Sequence, residues 1–295
     1  MPDKLRFLII DGYPEPSREQ FNSVGMRLAG QLYADILLQH LPDAEYDIYY
    51  SSDPGVVLPN SDEINAYQGI LWPGCNLTIY HTDDERVTKM IELADRGYEA
   101  GIPQFGSCWA AQIAVYTAGG EVKPNPKGRE MGVARKIHLT PAGQNHPMYE
   151  GKPLVFDGFI SHDDEITRLP DCAEHLASND FTNVQAVSVR YKNGTFWATQ
   201  YHPEYNVHEV ARLILAREEK LIRYGFFRNS SDMKIYVDQL ESLAAEQDRK
   251  DLRWQLAIDD DLLSDSIRQC EFVNWLNKLV IPFAKEGNST YERSA

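Results

Sequence analysis

Short apolar runs alternate with longer stretches of helical spacing through the first half of the chain. Apolar runs closed by turn residues are typical of strands buried in a parallel sheet. Apolar positions three to four residues apart between them are typical of helices that pack on that sheet. Strands are predicted at residues 5–10, 46–50, 69–72 and 102–105. Helices are predicted over 17–40, from an N-cap at Thr82 to a terminal glycine at Gly101, and from Cys108 to Ala118.

Beyond Gly120 the pattern changes to strand-like pieces, and from Val207 onward it is helical and rich in charge. An Asn-Gly pair in "YKNGTFW" predicts a β-hairpin between two of these strands. Strands that alternate with helices imply an α/β fold with a mostly parallel sheet and helices on both faces. We expect residues 1–223 to form this core domain and residues 224–295 to form a helical C-terminal extension.

Composition excludes several classes of partner. The chain has 295 residues, 29 Lys and Arg against 44 Asp and Glu, and a net charge of -15, with no basic cluster interleaved with aromatic residues. Nucleic acid and anionic membrane surfaces are therefore not expected as partners. No apolar run is long enough for a signal peptide or a membrane span, so we expect a soluble, cytoplasmic protein.

The cysteine pattern and the acidic residues predict no metal site and no cofactor. The four cysteines are widely separated and include no C-x-x-C pair, which favours free thiols over zinc ligands. The acidic run at residues 163–165 is predicted to be a solvated surface or the start of a helix.

The stretch "FGSCWAAQ" places a thiol where a strand turns into a helix. Gly106 permits a tight backbone there, and the small residues Ala110 and Ala111 let the helix pack closely behind the turn. The N-terminus of a helix stabilises a thiolate, which makes Cys108 a candidate nucleophile. The alternative is that Cys108 is a buried structural cysteine, since free cysteines are among the most buried residues.

A histidine and a glutamate follow another predicted strand in "WATQYHPEY". An imidazole needs a partner at its second ring nitrogen to fix its orientation, and Glu204 is two residues from His202. Together with Cys108 these residues make a possible Cys-His-Glu arrangement. Taken alone, His-Pro-Glu is equally compatible with the start of a helix.

A Pro-Gly turn closes a third strand in "LWPGCN". Backbone N–H groups of such a turn, at Gly74 and Cys75, are able to stabilise the oxyanion formed in acyl transfer. Because the carboxyl ends of parallel strands share one sheet edge, this turn is expected near Cys108 and His202. An ordinary surface turn is the alternative.

These motifs, in this order, resemble those of the class I glutamine amidotransferase family. The resemblance covers residues 5 to about 210 and includes a G-x-C elbow and a later H-P-E, with "AGGEV", "GREMGV" and "ISHDDEI" between them. It implies a flavodoxin-like glutaminase domain. In such a domain Cys108 attacks a side-chain γ-amide, His202 acts as general base and then acid, and Glu204 orients His202.

The resemblance also implies the groups that surround the thiol. The regions of Gly74 with Cys75 and of Trp109 would supply the N–H groups of the oxyanion hole. Gln112 matches a position that helps to hold glutamine. Ser161 and His162 match a loop near the α-amino and carboxylate groups of the substrate.

Two departures from the family pattern bear on the substrate. Gly74-Cys75 stands where members commonly have Gly-Gly, and residues 109–111 read Trp-Ala-Ala where members commonly have Leu-Gly-His. A side chain at Cys75 would hinder a backbone flip, and Trp109 adds bulk beside the thiol. Both departures are compatible with a substrate other than glutamine.

Three functions remain open from the sequence. The first is a glutaminase that supplies ammonia to a synthetase partner, because no nucleotide-binding motif occurs in this chain. The second is a stand-alone γ-glutamyl peptidase, hydrolase or transferase that acts on another γ-glutamyl amide. The third is a non-catalytic binding module of the same fold.

Overall fold

The computed structural model describes residues 4–292. Within these residues, nine strands form one sheet in the order β2-β1-β3-β4-β11-β10-β9-β6-β7, and β5 pairs with β8 in a second sheet. The strands are β1 (Arg6–Asp11), β2 (Glu45–Tyr50), β3 (Gly69–Trp72), β4 (Gln104–Ser107), β5 (Glu121–Pro124), β6 (Glu130–Leu139), β7 (Val155–His162), β8 (Asp164–Arg168), β9 (Ala173–Ser178), β10 (Ala186–Tyr191) and β11 (Gly194–Thr199).

Helices connect the strands and fill the C-terminal part of the chain. They are α1 (Glu15–Ser23), α2 (Ala29–His40), α3 (Ser61–Ile64), α4 (Glu85–Ala100), α5 (Trp109–Thr117), α6 (Pro141–Asn145), α7 (Val207–Ala216), α8 (Glu218–Arg223), α9 (Ser230–Ala245), α10 (Lys250–Leu256), α11 (Asp260–Leu263), α12 (Asp265–Arg268), α13 (Cys270–Trp275) and α14 (Ile281–Glu292). A 3₁₀ turn spans Pro147–Tyr149, and a π-helical segment spans Leu276–Val280. No helix among the described residues is both long and apolar enough to span a bilayer.

The sheet has a parallel part and an antiparallel part, with packed cores on both faces. Strands β2, β1, β3, β4 and β11 are mutually parallel, and β10, β9, β6 and β7 continue the sheet with antiparallel pairing. Successive residues of β1 enter different cores: Leu8 and Ile10 one, Phe7 and Ile9 the other. The predicted α/β class, with helices on both faces of the sheet, is confirmed.

The register of three neighbouring strands positions the segments that carry the sequence motifs. Trp72 of β3 pairs with Gly106 of β4, and Thr199 of β11 pairs with Ser107 of β4. Because these strands are parallel, the residues that follow them leave the sheet at one edge. Gly74 and Cys108 therefore emerge side by side there.

Two helix predictions were wrong in their boundaries. The segment 17–40 is not one helix, because the chain turns at Gly25, which has a φ of 74°, and α1 and α2 lie on either side. The fourth helix is capped by Asp84 rather than Thr82, since the Asp84 side chain accepts a hydrogen bond from the backbone N–H of Arg86. Its predicted terminal glycine, Gly101, has the left-handed conformation.

The predicted hairpin joins β10 and β11, but its turn is shifted by one residue. Gly194 pairs with Tyr191 in the ladder, so the turn consists of Lys192 and Asn193. An Asn-Gly turn would place the positive φ at Asn193 and Gly194. In the structure Lys192 has a positive φ, of 51°.

The C-terminal helices contribute to both cores, α9 to the core of Leu8 and α13 to the core of Phe7. The ring centroid of Trp275 in α13 lies 5.7 Å from that of Phe105 in β4 and 6.1 Å from that of Phe7 in β1. A Cβ atom at Gly69 of β3 would lie 2.8 Å from the Trp275 ring, which shows how closely the indole approaches the strands. The division of the chain at residue 223 stays a prediction.

The Trp275→Ala variant should unfold much more easily than the wild type. Removing a buried aromatic side chain leaves a cavity and is expected to lower the free energy of unfolding by about 3–5 kcal/mol. Trp254→Ala is the matched control, because the Trp254 side chain is 88% exposed. Denaturant unfolding measures both variants, and equal losses of stability would contradict the shared core.

Candidate active site

Cys108 occupies a strained turn between β4 and α5. Its φ of 58° and ψ of -106° are unusual for a residue with a side chain, and its backbone N–H donates to the carbonyl of Thr199 at 2.7 Å. Gly106 is required before it, because a Cβ atom there would lie 2.2 Å from the Trp72 carbonyl oxygen and 2.5 Å from Ala110 Cβ. The backbone thus holds the thiol at the N-terminus of α5.

His202 and Glu204 form a buried pair beside this thiol. The Nδ1 atom of His202 lies 2.6 Å from Glu204 Oε1, and each side chain is 1% exposed. Tyr205 stacks on the imidazole at a centroid separation of 4.0 Å and an interplanar angle of 4°. The ring is therefore fixed at one edge by a carboxylate and on one face by an aromatic ring.

Gly74 borders both the thiol and the imidazole. A Cβ atom built on Gly74 would lie 3.0 Å from His202 Cε1, 3.3 Å from Cys108 Cβ and 3.8 Å from Cys108 Sγ. The structure thus brings Cys108, His202 and the turn after β3 together at one sheet edge.

The electrostatics of the pair favour a protonated imidazole. Burial opposes protonation, but the Glu204 charge and interactions with Cys108 outweigh it and raise the pKa of His202 to about 10. An imidazolium beside a thiol is the arrangement that stabilises a thiolate nucleophile and later donates a proton to a leaving group.

A pocket of about 230 Å³ opens next to Cys108. Several residues predicted to bind substrate or to flank the oxyanion line it, and they are Cys75, Cys108, Trp109, Gln112, Ser161 and His162. Its size suits one small organic group, such as an amino-acid side chain with its α-substituents.

The predicted substrate-binding residues hold the wall of this pocket through their own hydrogen bonds. Ser161 and His162 end β7 rather than lying in a loop, which corrects the expectation from sequence. The Cys108 thiol lies 3.5 Å from the Ser161 carbonyl oxygen. His162 contacts Glu130 at 3.1 Å, and Gln112 donates to the Asp164 carbonyl at 3.2 Å.

The candidate oxyanion groups flank the thiol on two sides. Gly74 and Cys75 follow β3, whereas Trp109 is the first residue of α5, where a backbone N–H has no acceptor within its own helix. Cys75 is buried, its Sγ accepts from the Leu77 N–H at 3.3 Å, and burial raises the pKa of its thiol. Stabilisation of an oxyanion by these groups stays a prediction.

A charged cluster in the pocket was missed by the sequence analysis. Asp163 Oδ2 accepts from Arg129 at 2.6 Å and from Lys220 at 2.7 Å, and Arg129 also donates to Ser161 Oγ at 2.6 Å. Burial alone would raise the pKa of Asp163, but these two cations hold it below its usual value. The acidic run is therefore a half-buried part of the site, and the prediction that it is a solvated surface or a helix start was wrong.

Asp164 adds a second carboxylate to this cluster. It begins β8 and accepts a hydrogen bond from the Tyr80 hydroxyl at 3.0 Å. Burial raises the pKa of Asp164 above its usual value. The pocket thus presents groups of both signs next to the thiol. Local sequence patterns give no signal for this cluster because its members come from separate segments.

A sequence model of the family "Glutamine amidotransferase class-I" matches residues 50–220. The gamma-glutamyl-L-1-hydroxyisopropylamide hydrolase of a Pseudomonas species is 32% identical over 288 residues, which are 96% of each chain. A glutamine-hydrolyzing GMP synthase chain of Methanococcus maripaludis is 27% identical over 194 residues, covering 64% of this chain and 94% of its own. The chain belongs to the class I glutamine amidotransferase family and is an enzyme of that class.

Solved structures agree in fold. A glutamine amidotransferase from Thermotoga maritima superposes with a TM-score of 0.64 at 17% identity, over 94% of this chain and 98% of its own. One from Methylobacillus flagellatus superposes with a TM-score of 0.62 at 16% identity, over 94% and 95%. These likenesses establish a shared fold that extends over the C-terminal helices.

Proposed function

We propose that this enzyme hydrolyses a γ-glutamyl amide through a glutamyl thioester on Cys108. The observation that carries the proposal is the meeting of Cys108, His202 and Glu204 at one sheet edge, with His202 and Glu204 hydrogen-bonded at 2.6 Å. This is the constellation that nucleophilic acyl transfer requires: a nucleophile, an acid–base group and a group that orients it.

The chemistry follows in two steps. The Cys108 thiolate attacks the γ-carbonyl carbon, a C–S bond forms, and N–H groups near Gly74 and Trp109 stabilise the oxyanion. The C–N bond then breaks as the amine takes a proton from His202. Water, deprotonated by His202, attacks the thioester, and glutamate leaves as the C–S bond breaks.

The charged cluster suits the α-carbon end of a γ-glutamyl group. Such a substrate carries an α-ammonium and an α-carboxylate, and the pocket offers carboxylates at Asp163 and Asp164 and cations at Arg129 and Lys220. Opposite charges held in a partly buried pocket discriminate strongly against a ligand that lacks them. We therefore infer that this cluster, together with Gln112, Ser161 and His162, binds the glutamyl head.

We favour a stand-alone hydrolase over a glutaminase that feeds a synthetase. The relative named as a gamma-glutamyl-L-1-hydroxyisopropylamide hydrolase aligns over 96% of this chain, whereas the GMP synthase chain from Methanococcus maripaludis aligns over 64%. The full-length likeness and the Gly74-Cys75 and Trp109 departures support a substrate whose leaving amine is larger than ammonia. Ammonia supply to a partner is the second candidate.

A substrate panel tests this choice. The purified chain alone should hydrolyse a γ-glutamyl amide of a small amino alcohol with kcat/KM at least about tenfold above that for glutamine, as an added contact in the amine subsite allows. The matching α-glutamyl amide should be inert, because its head group cannot place both charges in the cluster. Slow hydrolysis of glutamine alone, accelerated by a synthetase, would favour the second candidate.

A further inference from the structure

The residue before the nucleophile is a serine whose hydroxyl reaches the other two members of the site. Ser107 is the last residue of β4 and is 0% exposed. Its Oγ donates to Glu204 Oε1 at 2.8 Å and lies 3.3 Å from His202 Nδ1. Ser107, Glu204 and His202 thus form a closed triangle beneath the thiol.

The triangle concentrates hydrogen bonds on one carboxylate oxygen. Glu204 Oε1 accepts from both His202 Nδ1 and Ser107 Oγ, whereas Oε2 is buried and has no hydrogen-bond partner among the described residues. A buried carboxylate is costly to keep ionised, and each donor it loses raises that cost. Ser107 is therefore the second donor, after His202, that holds the Glu204 carboxylate in place beside the imidazole.

We propose that Ser107 is a positioning residue, which holds Glu204 so that Glu204 orients His202 toward Cys108. The inference rests on the proposed thioester mechanism. Ser107 is the middle residue of the G-x-C elbow. The strand register pairs it with Thr199, and the segment after Thr199 leads to His202.

Other charged and titratable groups face this triangle and stay unchanged in the test. Cys108 and the ring of Tyr205 face His202. Arg268 of α12 acts on Glu204 through its charge, and the buried Tyr33 of α2 has its pKa raised by burial and by the Glu204 charge. Tyr33 also reaches Ser107 and Glu204, but its hydroxyl forms no hydrogen bond among the described residues.

The test compares Ser107→Ala with Ser188→Ala. Ser188 is also a fully buried strand serine, and its hydroxyl has no hydrogen-bond partner within the described chain. Ser107→Ala should lower kcat/KM about 10- to 100-fold, the range for losing a hydrogen bond to a charged group. The pH range over which kcat/KM is high should become narrower at its acidic end and at its alkaline end. The reason is that a Glu204 without the Ser107 donor stabilises the imidazolium less, and the imidazolium then stabilises the thiolate less. Ser107→Thr keeps the hydroxyl and should restore the wild-type profile.

A substrate-free readout separates this proposal from the proposed function. The rate at which iodoacetamide alkylates Cys108, followed on the peptide by mass spectrometry, should reach half-maximum at higher pH in Ser107→Ala than in the wild type. Ser188→Ala should match the wild type. Equal midpoints in Ser107→Ala and wild type, or the same displacement in both alanine variants, would overturn the positioning role even if γ-glutamyl amides are hydrolysed.

Discussion

Replacing Cys108 with alanine should abolish turnover of every γ-glutamyl amide that the enzyme hydrolyses. Without the sulfur no thioester forms, and loss of a nucleophile from a coupled constellation typically lowers kcat by four to six orders of magnitude, about 10⁴ to 10⁶. The fold should persist, because the side chain is small and the backbone of the elbow is held by the hydrogen bond to Thr199. Steady-state kinetics and thermal unfolding measure the two effects separately.

Cys172→Ala is the control for this experiment. Cys172 is a free cysteine outside the pocket residues, so its removal should leave kcat/KM near the wild-type value. Turnover that survives in Cys108→Ala, or an equal loss in both variants, would contradict the assignment of the nucleophile.

The Gly74→Ala variant should be the second most damaging change. The added methyl group would lie 3.0 Å from His202 Cε1 and 3.8 Å from Cys108 Sγ, where the reacting carbonyl must approach. The atoms nearest to this methyl group belong to His202 and Cys108. Making room for it therefore moves the imidazole or the thiol away from its reactive position. We expect kcat/KM to fall by a factor of about 10² to 10³, the cost of losing oxyanion stabilisation and alignment.

Gly151→Ala is the control, because it should change stability and leave kcat unchanged, the opposite of what we expect for Gly74→Ala. Gly151 has a φ of 86° with open space around its Cβ position, so an alanine there strains the backbone and crowds nothing. Gly151→Ala should therefore lower the melting temperature and keep the wild-type kcat. Gly74 is not among the residues with positive φ, so Gly74→Ala should melt close to the wild type and lose kcat. Retained activity in Gly74→Ala would place the reacting carbonyl elsewhere.

Sequence reasoning located the elements that follow local rules. A cysteine after a strand, a Pro-Gly turn and a His-Pro-Glu segment are each visible within a few residues, and the parallel register then brings the first two together. The helix break at Gly25 and the capping residue Asp84 were missed because the nearby sequence offers competing signals of similar strength.

Contacts between residues far apart in the sequence could not be predicted from the sequence. Ser107 and Glu204 are 97 residues apart, and Asp163 lies 34 residues from Arg129 and 57 from Lys220. No periodicity links such positions, since their contact depends on the order of strands in the sheet and on where α8 packs. The same reason hides the packing of Trp275 against β1 and β4, which depends on tertiary structure alone.

The central claim is a covalent glutamyl group on Cys108. It is tested most directly by quenching the enzyme in acid during turnover of a γ-glutamyl amide and measuring the mass of its peptides. We predict that the peptide containing Cys108 gains the mass of one glutamyl group, that hydroxylamine removes it, and that Cys108→Ala shows no such gain. Turnover during which this peptide stays unmodified, or an adduct carried by another residue, would contradict the mechanism.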